Sequence, residues 1–147
     1  MPKMTPNMAL AGNESSLLTA KELAAIPELS PCELERGKIK LASPAFFDHA
    51  RYEGNFYYAI RSFVEPHLGQ VAVGEVGIIT ECGPDTVRGA DVVFLSKERM
   101  ERVVSESAFL KTAPDLVVEI KSRSNTLSSL KRKLSEYFVR VPDDVGQ

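Results

Sequence analysis

The stretch "APDLVVEIKSRSN", residues 113–125, decides how this chain is read. Leu116, Val117 and Val118 form an apolar run with Pro114 before it and the turn-forming residues Ser122, Ser124 and Asn125 after it, as in a short buried strand. Glu119 and Lys121 follow, separated only by Ile120. Side chains alternate along a strand, so this pattern predicts Val117, Glu119 and Lys121 on one face and Leu116, Val118 and Ile120 packed on the other. A carboxylate and an ammonium at the end of an apolar strand have two readings. One is a surface ion pair of small energetic worth. The other is a chemical site, and a second carboxylate bears on it: Asp91, in "RGADVVFLS" (88–96), opens another apolar strand. If the two strands are neighbours, Asp91, Glu119 and Lys121 converge at one sheet edge. The simpler alternative makes Asp91 turn chemistry after Gly89.

Working outward, "SLLTAKELAAIPEL" (16–29) predicts a short helix with Thr19 as N-cap and Glu22 as its capping-box partner, ended by Pro27. "PCELERGKIKLAS" (31–43) has period two on both sides of Arg36-Gly37, which predicts a hairpin. "SPAFFDHARYEGNFYYAIRSFVEPHLG" (43–69) is the longest helical signal. Ser43 is its candidate cap, Pro44 its first turn, Phe56, Ile60, Phe63 and Val64 its apolar face, and Gly69 its stop. "QVAVGEVGIIT" (70–80) and "RGADVVFLS" predict two strands joined by the loop "ECGPDTV" (81–87). A charged, partly helical connection, "KERMERVVSESAFL" (97–110), leads to the opening strand. A last helix in "SNTLSSLKRKLSEYFVRV" (124–141) is capped by Ser124 or Asn125 and striped by Leu127, Leu130, Leu134 and Phe138. This order predicts an α/β (α+β) domain with a central mixed sheet flanked by helices. The expected organisation is a flexible lead-in over 1–16, a single domain over 17–140 and a frayed C-terminus over 141–147.

At 147 residues and 44% hydrophobic content, the chain is long enough for one domain with a real core. The formal charge of −2 excludes a polycation. Locally, however, Lys121–Arg140 carries six basic residues against the one acidic residue Glu136, which is either a solvated helix face or a phosphate-attracting patch. Cys32 and Cys82 match no metal-ligand spacing and read as free thiols of a reducing cytosol. No apolar run approaches the about 20 residues of a membrane span, and the N-terminus has no secretory pattern. The expectation is a cytoplasmic protein with no membrane partner.

The chemistry of the triplet is specific if it converges. Two nearby carboxylates repel unless a cation lies between them, and hard oxygen ligands favour Mg2+ or Mn2+. The Ile120 carbonyl is a candidate further ligand. A metal-bound water can be made nucleophilic, and a lysine beside it offsets negative charge developing at a phosphorus centre. Together these parts suit hydrolysis of a phosphodiester.

"Asp91…Glu119-Ile120-Lys121" resembles the active-site pattern of the PD-(D/E)XK nuclease superfamily, and the surroundings resemble one branch of it, the Uma2 family (DUF820) of restriction-endonuclease-like proteins. The likeness spans about Leu17 to Tyr137 and rests on "CELERGKI" (32–39), "SPAFFDHARYEGNFYYAI" (43–60), "VRGADVVFLSKERM" (87–100), "APDLVVEIKSRSNT" (113–126) and "KLSEY" (133–137), in the family's order. It implies a restriction-endonuclease-like core and an Mg2+- or Mn2+-dependent endonuclease acting on DNA, leaving 5′-phosphate and 3′-hydroxyl ends. Asp91 and Glu119 would be metal carboxylates, Lys121 the catalytic lysine and Glu33 a further catalytic acid. His49, Lys133 and Tyr137 would contact substrate; Lys133 and Tyr137, four apart on one helix, share a face from which they would hold phosphate or orient Glu119. The likeness departs at Ala90, where the family has proline, and at Lys121, where many members have a non-basic residue. It departs also at "FVRVPDDVGQ" (138–147), where relatives continue into further strands. The expectation is a sheet without its C-terminal strands, whose exposed edge a homodimer would complete. The alternative is a noncatalytic DNA-binding or assembly module on a degenerate nuclease fold; a cytosolic domain unrelated to nucleic acid is a third reading.

Overall fold

The structure, a computed structural model, describes residues 16–64, 67–103 and 108–139. The predicted lead-in before Ser16 and the predicted frayed C-terminus, 141–147, lie outside them. Helix α1 (Ala20–Ala24) is opened by the expected capping box between Thr19 and Glu22. A short 3-10 turn, Pro27–Leu29, leads into the hairpin of β1 (Cys32–Glu35) and β2 (Lys38–Leu41). Its turn has positive φ at both Arg36 (47°) and Gly37 (78°), the primed geometry that matches strand twist. Helix α2 (Phe47–Val64) is followed by a long hairpin of β3 (Gly69–Glu81) and β4 (Thr86–Ser96). Then come α3 (Lys97–Met100), β5 (Leu116–Val118) and α4 (Leu127–Glu136).

All five strands form one sheet, and every named pair in it is antiparallel. Among the described residues the parallel component is one isolated bridge, Ile78–Leu110. Strand β3 covers one edge of β4 along most of its length. The other edge is divided: β1 pairs it at Val87, and β5 pairs it from Val92 to Phe94. The interval Arg88–Asp91 thus lies in a gap between two partners, where its backbone groups need partners from side chains.

Helix α2 lies on one face of the sheet, its Tyr57, Ile60 and Val64 packing with Val71, Val92, Phe94 and Val118. On the opposite face Leu134 and Tyr137 pack with Ile78, Ala90, Val93, Leu95 and Val117. A third cluster, Ala20, Leu23, Leu34, Ile79 and Val87, seats α1 at the hairpin end.

Three local expectations are corrected. Helix α2 starts at Phe47 rather than at Ser43-Pro44, because the chain leaving β2 is still extended there, with Ala42 N–H bonded to the Pro31 carbonyl at 3.1 Å. Its inward face is His49, Glu53, Tyr57 and Ile60, all half-buried, and the buried Val64, whereas Phe56 and Phe63 are exposed. Ile60 and Val64 are on the packed face as expected, but polar site residues continue that stripe, so apolar spacing adds Phe56 and Phe63 and leaves out His49 and Glu53. Helix α4 is capped by Thr126, whose hydroxyl accepts the Ser129 N–H at 3.1 Å, rather than by Ser124 or Asn125. Leu127 and Phe138 are exposed, because the helix docks through Lys133, Leu134 and Tyr137.

Candidate active site

The gap in β4 is the centre of the site. Gly89 donates its N–H to Glu33 Oε1 at 2.9 Å, and its carbonyl accepts from Lys133 Nζ at 2.7 Å and from Tyr137 O–H at 3.2 Å. Backbone that would have paired with a strand is satisfied instead by a carboxylate from β1 and two donors from the α4 region.

Asp91 is buried at the end of this gap. Its Oδ2 accepts the Ile120 N–H at 2.7 Å, and its Oδ1 lies 3.3 Å from His49 Nε2. The pairing of Val92 with Val118 sets Asp91 beside Glu119 across the strand boundary, as the sequence predicts for neighbouring strands. Glu119 lies on the α4 side, with Val117. Tyr137 donates to its Oε1, and Lys133 Nζ lies 3.3 Å from it. Burial, with Asp91 nearby, raises the Glu119 carboxyl above the usual range, although Lys133 and Tyr137 pull it down. Burial and the adjacent glutamates raise the Tyr137 phenol well above its ordinary value, so it is a hydrogen-bond donor here.

Lys133 also contacts Glu33 at 2.8 Å. Burial disfavours its charge, but Glu119 and Glu33 outweigh this and raise its pKa. Glu33 is likewise pushed up by burial, yet Lys133, the Gly89 N–H and Arg88 bring it below the usual carboxylate range. The glutamate is therefore bound into the site rather than directed outward from the hairpin.

Lys121 is placed differently from its strand-based expectation. Strand β5 ends at Val118, so alternation does not carry through to 121. Lys121 is exposed, its Nζ 3.4 Å from the Ser122 carbonyl, and the ammonium beside Glu119 is that of Lys133.

Two acids of the site were missed by sequence reasoning. Glu53 follows His49 by one helical turn, a spacing that could have revealed it. His49, Glu53 and Asp91 bring ligand atoms within 4.8 Å of one another. The second is Glu75, and no local pattern signals it. A β-bulge puts Gly74 (φ 96°) and Glu75 (φ 57°) opposite the Asp91 position, and this extra residue re-aims the side chain. Its carboxylate passes over Gly89, where a Cβ would come within 2.3 Å of Glu75 Oε2. Glu75 is exposed as a whole residue, but its carboxyl end is crowded. Burial of that end and the charge of Asp91 push its pKa up to about 7.

The donor set suits a divalent cation. Glu33, Glu75, Asp91 and Glu119 meet the His49 imidazole in a cleft of about 760 Å3, and Glu53 Oε1, beside His49 and Asp91, is buried without a hydrogen-bond partner. Such an orphaned acceptor beside other carboxylates is costly unless a cation satisfies it.

The Uma2 family, described as "Putative restriction endonuclease", matches residues 20–141. This chain belongs to the Uma2 family. The Uma2 chain also has the fold of a solved structure, a "putative nuclease belonging to DUF820 from Anabaena variabilis ATCC 29413". The TM-score is 0.66 at 19% identity, over 82% of this chain and 67% of that one. No curated protein matches. No helix among the described residues is long and apolar enough to cross a membrane.

Proposed function

We propose that this Uma2 protein is a nuclease that hydrolyses DNA phosphodiesters with a bound Mg2+ or Mn2+ ion. The observation that carries this reading is the convergence of Asp91 and Glu119 with Glu33 and Glu75 in one cleft, with the unsatisfied Glu53 acceptor beside Asp91 and His49. Asp91, Glu119 and the Ile120 carbonyl would hold the ion, with His49 and Glu53 beside Asp91. When bound, it would supply Lewis-acid charge and a water acidified toward neutrality.

The remaining work falls to the chain. The Ile120 N–H fixes one Asp91 oxygen, and Tyr137 and Lys133 fix Glu119. Lys133, charged and half-buried between Glu33 and Glu119, offsets negative charge at the reacting phosphate. This position favours Lys133 over Lys121 as the lysine of the reacting centre. Lys121, at the mouth, suits a contact to the flanking phosphate backbone, which positions a strand without reading its sequence. His49 steadies Asp91 and faces the substrate side of the cleft.

Cleavage of supercoiled plasmid and single-stranded DNA with Mg2+, Mn2+ or EDTA tests this reading. The wild type is expected to cut only with metal, and Asp91→Asn and Glu119→Ala are expected to lower the rate by at least about 100-fold, in line with losing a charge-stabilising group. The noncatalytic DNA-binding module draws support from the contacts that Lys133 and Tyr137 already make to Glu119 Oε1. DNA binding by a folded, metal-loaded protein that never cuts would establish it instead.

A further inference from the structure

The cleft has a rim as well as an acidic floor. Phe46 and Phe47, just before and at the start of α2, are 68% and 82% exposed, and Tyr52, one turn on, is 46% exposed. All three line the same cleft as Asp91 and Glu119. Facing them, the segment after β5 contributes Lys121 and Arg123. The Arg123 guanidinium stands 5.6 Å over the Phe46 ring, and Arg51 stands 4.8 Å over Tyr52.

Single exposed aromatics on a surface need no explanation. Contiguous rings interleaved with cations along a cleft that ends on carboxylates are a different matter. Rings with adjacent guanidinium groups fit a nucleobase stacked on the ring, its phosphates held by the cations. Intact duplex keeps its base faces stacked on one another. A base must therefore be unpaired to cover these rings.

We infer that Phe46, Phe47 and Tyr52 form a stacking platform for an unpaired base, so that single-stranded or locally melted DNA is the strand this cleft takes. The inference rests on reading the site as one for DNA, and it adds the substrate class. The adjoining cations would grip the strand on either side of the stacked base, and the scissile phosphate would be drawn toward the floor.

Fluorescence anisotropy tests it in EDTA, at fixed salt, with a labelled oligothymidine and a labelled blunt-ended, fully paired duplex. Three proteins are compared: wild type, Phe46→Leu/Phe47→Leu and Phe46→Trp/Phe47→Trp. Leucine keeps the surface apolar without a π-face; tryptophan restores one. Both rings are exposed, so neither pair of changes disturbs the core. The wild type is expected to prefer the single strand. The leucine pair is expected to lose about tenfold in single-strand affinity, in keeping with the loss of a base–aromatic stack. Duplex affinity should be unchanged, and the tryptophan pair should match the wild type.

Equal losses on both DNAs, no loss at all, or a change in oligomeric state without a change in single-strand affinity would overturn the platform. The last result would mark the rings as a contact between copies of the chain. Cleavage by the same proteins separates the two ideas. Single-strand binding that depends on the rings, with no cleavage in any metal, removes the nuclease reading and keeps the platform. Metal-dependent cleavage with no single-strand preference does the reverse.

Discussion

Glu75 and Glu33 give the metal-free site opposite pH dependences. Burial and the charge of Asp91 raise the Glu75 carboxyl from 4.5 to about 7. Over that interval the folded chain holds a proton that the unfolded chain has released. The contribution of Glu75 to stability is therefore fully present below about 4.5 and lost as pH rises toward 7. Glu33 has the reverse sign. Burial raises it, but Lys133, the Gly89 N–H and Arg88 lower it further, so its contribution is present above 4.5 and fades as pH falls. In metal-free buffer, Glu75→Gln is expected to gain stability relative to the wild type as pH rises from about 4.5 to 7, measured by urea unfolding. Parallel pH profiles would remove Glu75 from the site's electrostatics. Neither sign can be read from the sequence: Glu75 is one glutamate among many until the bulge turns it toward Asp91.

Strands β1 and β4 and helix α4 are tied together by Arg88. Its buried guanidinium contacts Glu136 at 2.6 and 3.1 Å and reaches Glu33 and Glu35 at 3.4 Å. Removing one member of a buried ion pair typically costs about 3–5 kcal/mol, because the partner's charge is left buried. Arg88→Ala is expected near the low end, about 3 kcal/mol in urea unfolding, since Glu33 keeps Lys133 and Glu35 keeps Arg132. Arg88→Lys should recover only part of this, because a point charge cannot reproduce the two-pronged contact with Glu136. A change below about 1 kcal/mol would show that this network contributes no more than an exposed pair. The long β3–β4 hairpin was legible from its apolar runs and its "ECGPDTV" turn. The division of the free edge of β4 was not, because strand pairing is a long-range choice that local patterning does not encode.

For the whole molecule, ligation should act as a stabiliser. An ion that binds the folded chain alone, at 100 times its dissociation constant, adds about 2.7 kcal/mol. For a domain of this size that corresponds to a rise of about 5–10 °C in the thermal midpoint. Mn2+ is expected to raise the wild-type midpoint and to leave Asp91→Asn nearly unmoved in differential scanning calorimetry. An equal rise in both proteins would locate the ion away from Asp91. For the proposed DNA ligand, Lys121 and Arg123 at the mouth of the cleft, rather than the net charge of −2, would supply the attraction. Local charge placement, rather than the total, governs such steering.

Element types were legible in the sequence, because they follow from short-range rules: period-two alternation, turn and capping chemistry, and apolar runs of strand length. Asp91 and Glu119 were expected to converge only on condition that their strands are neighbours, and the β4–β5 register meets that condition. The family landmarks placed Glu33, His49, Lys133 and Tyr137 near that pair, and the fold brings them there. Which lysine stands beside Glu119 was settled by the fold, because β5 stops at Val118 and frees Lys121 from the strand's alternation. It also added Glu53, one helical turn after His49 on the face that carries Ile60 and Val64, and Glu75, on a bulge with positive φ. For Glu33, Lys133 and Tyr137 the physical reason is the buried backbone of Gly89, which has no strand partner on that edge of β4. A gap between two strand partners must be filled, and the side chains that fill it come from β1 and the α4 region, far apart in sequence.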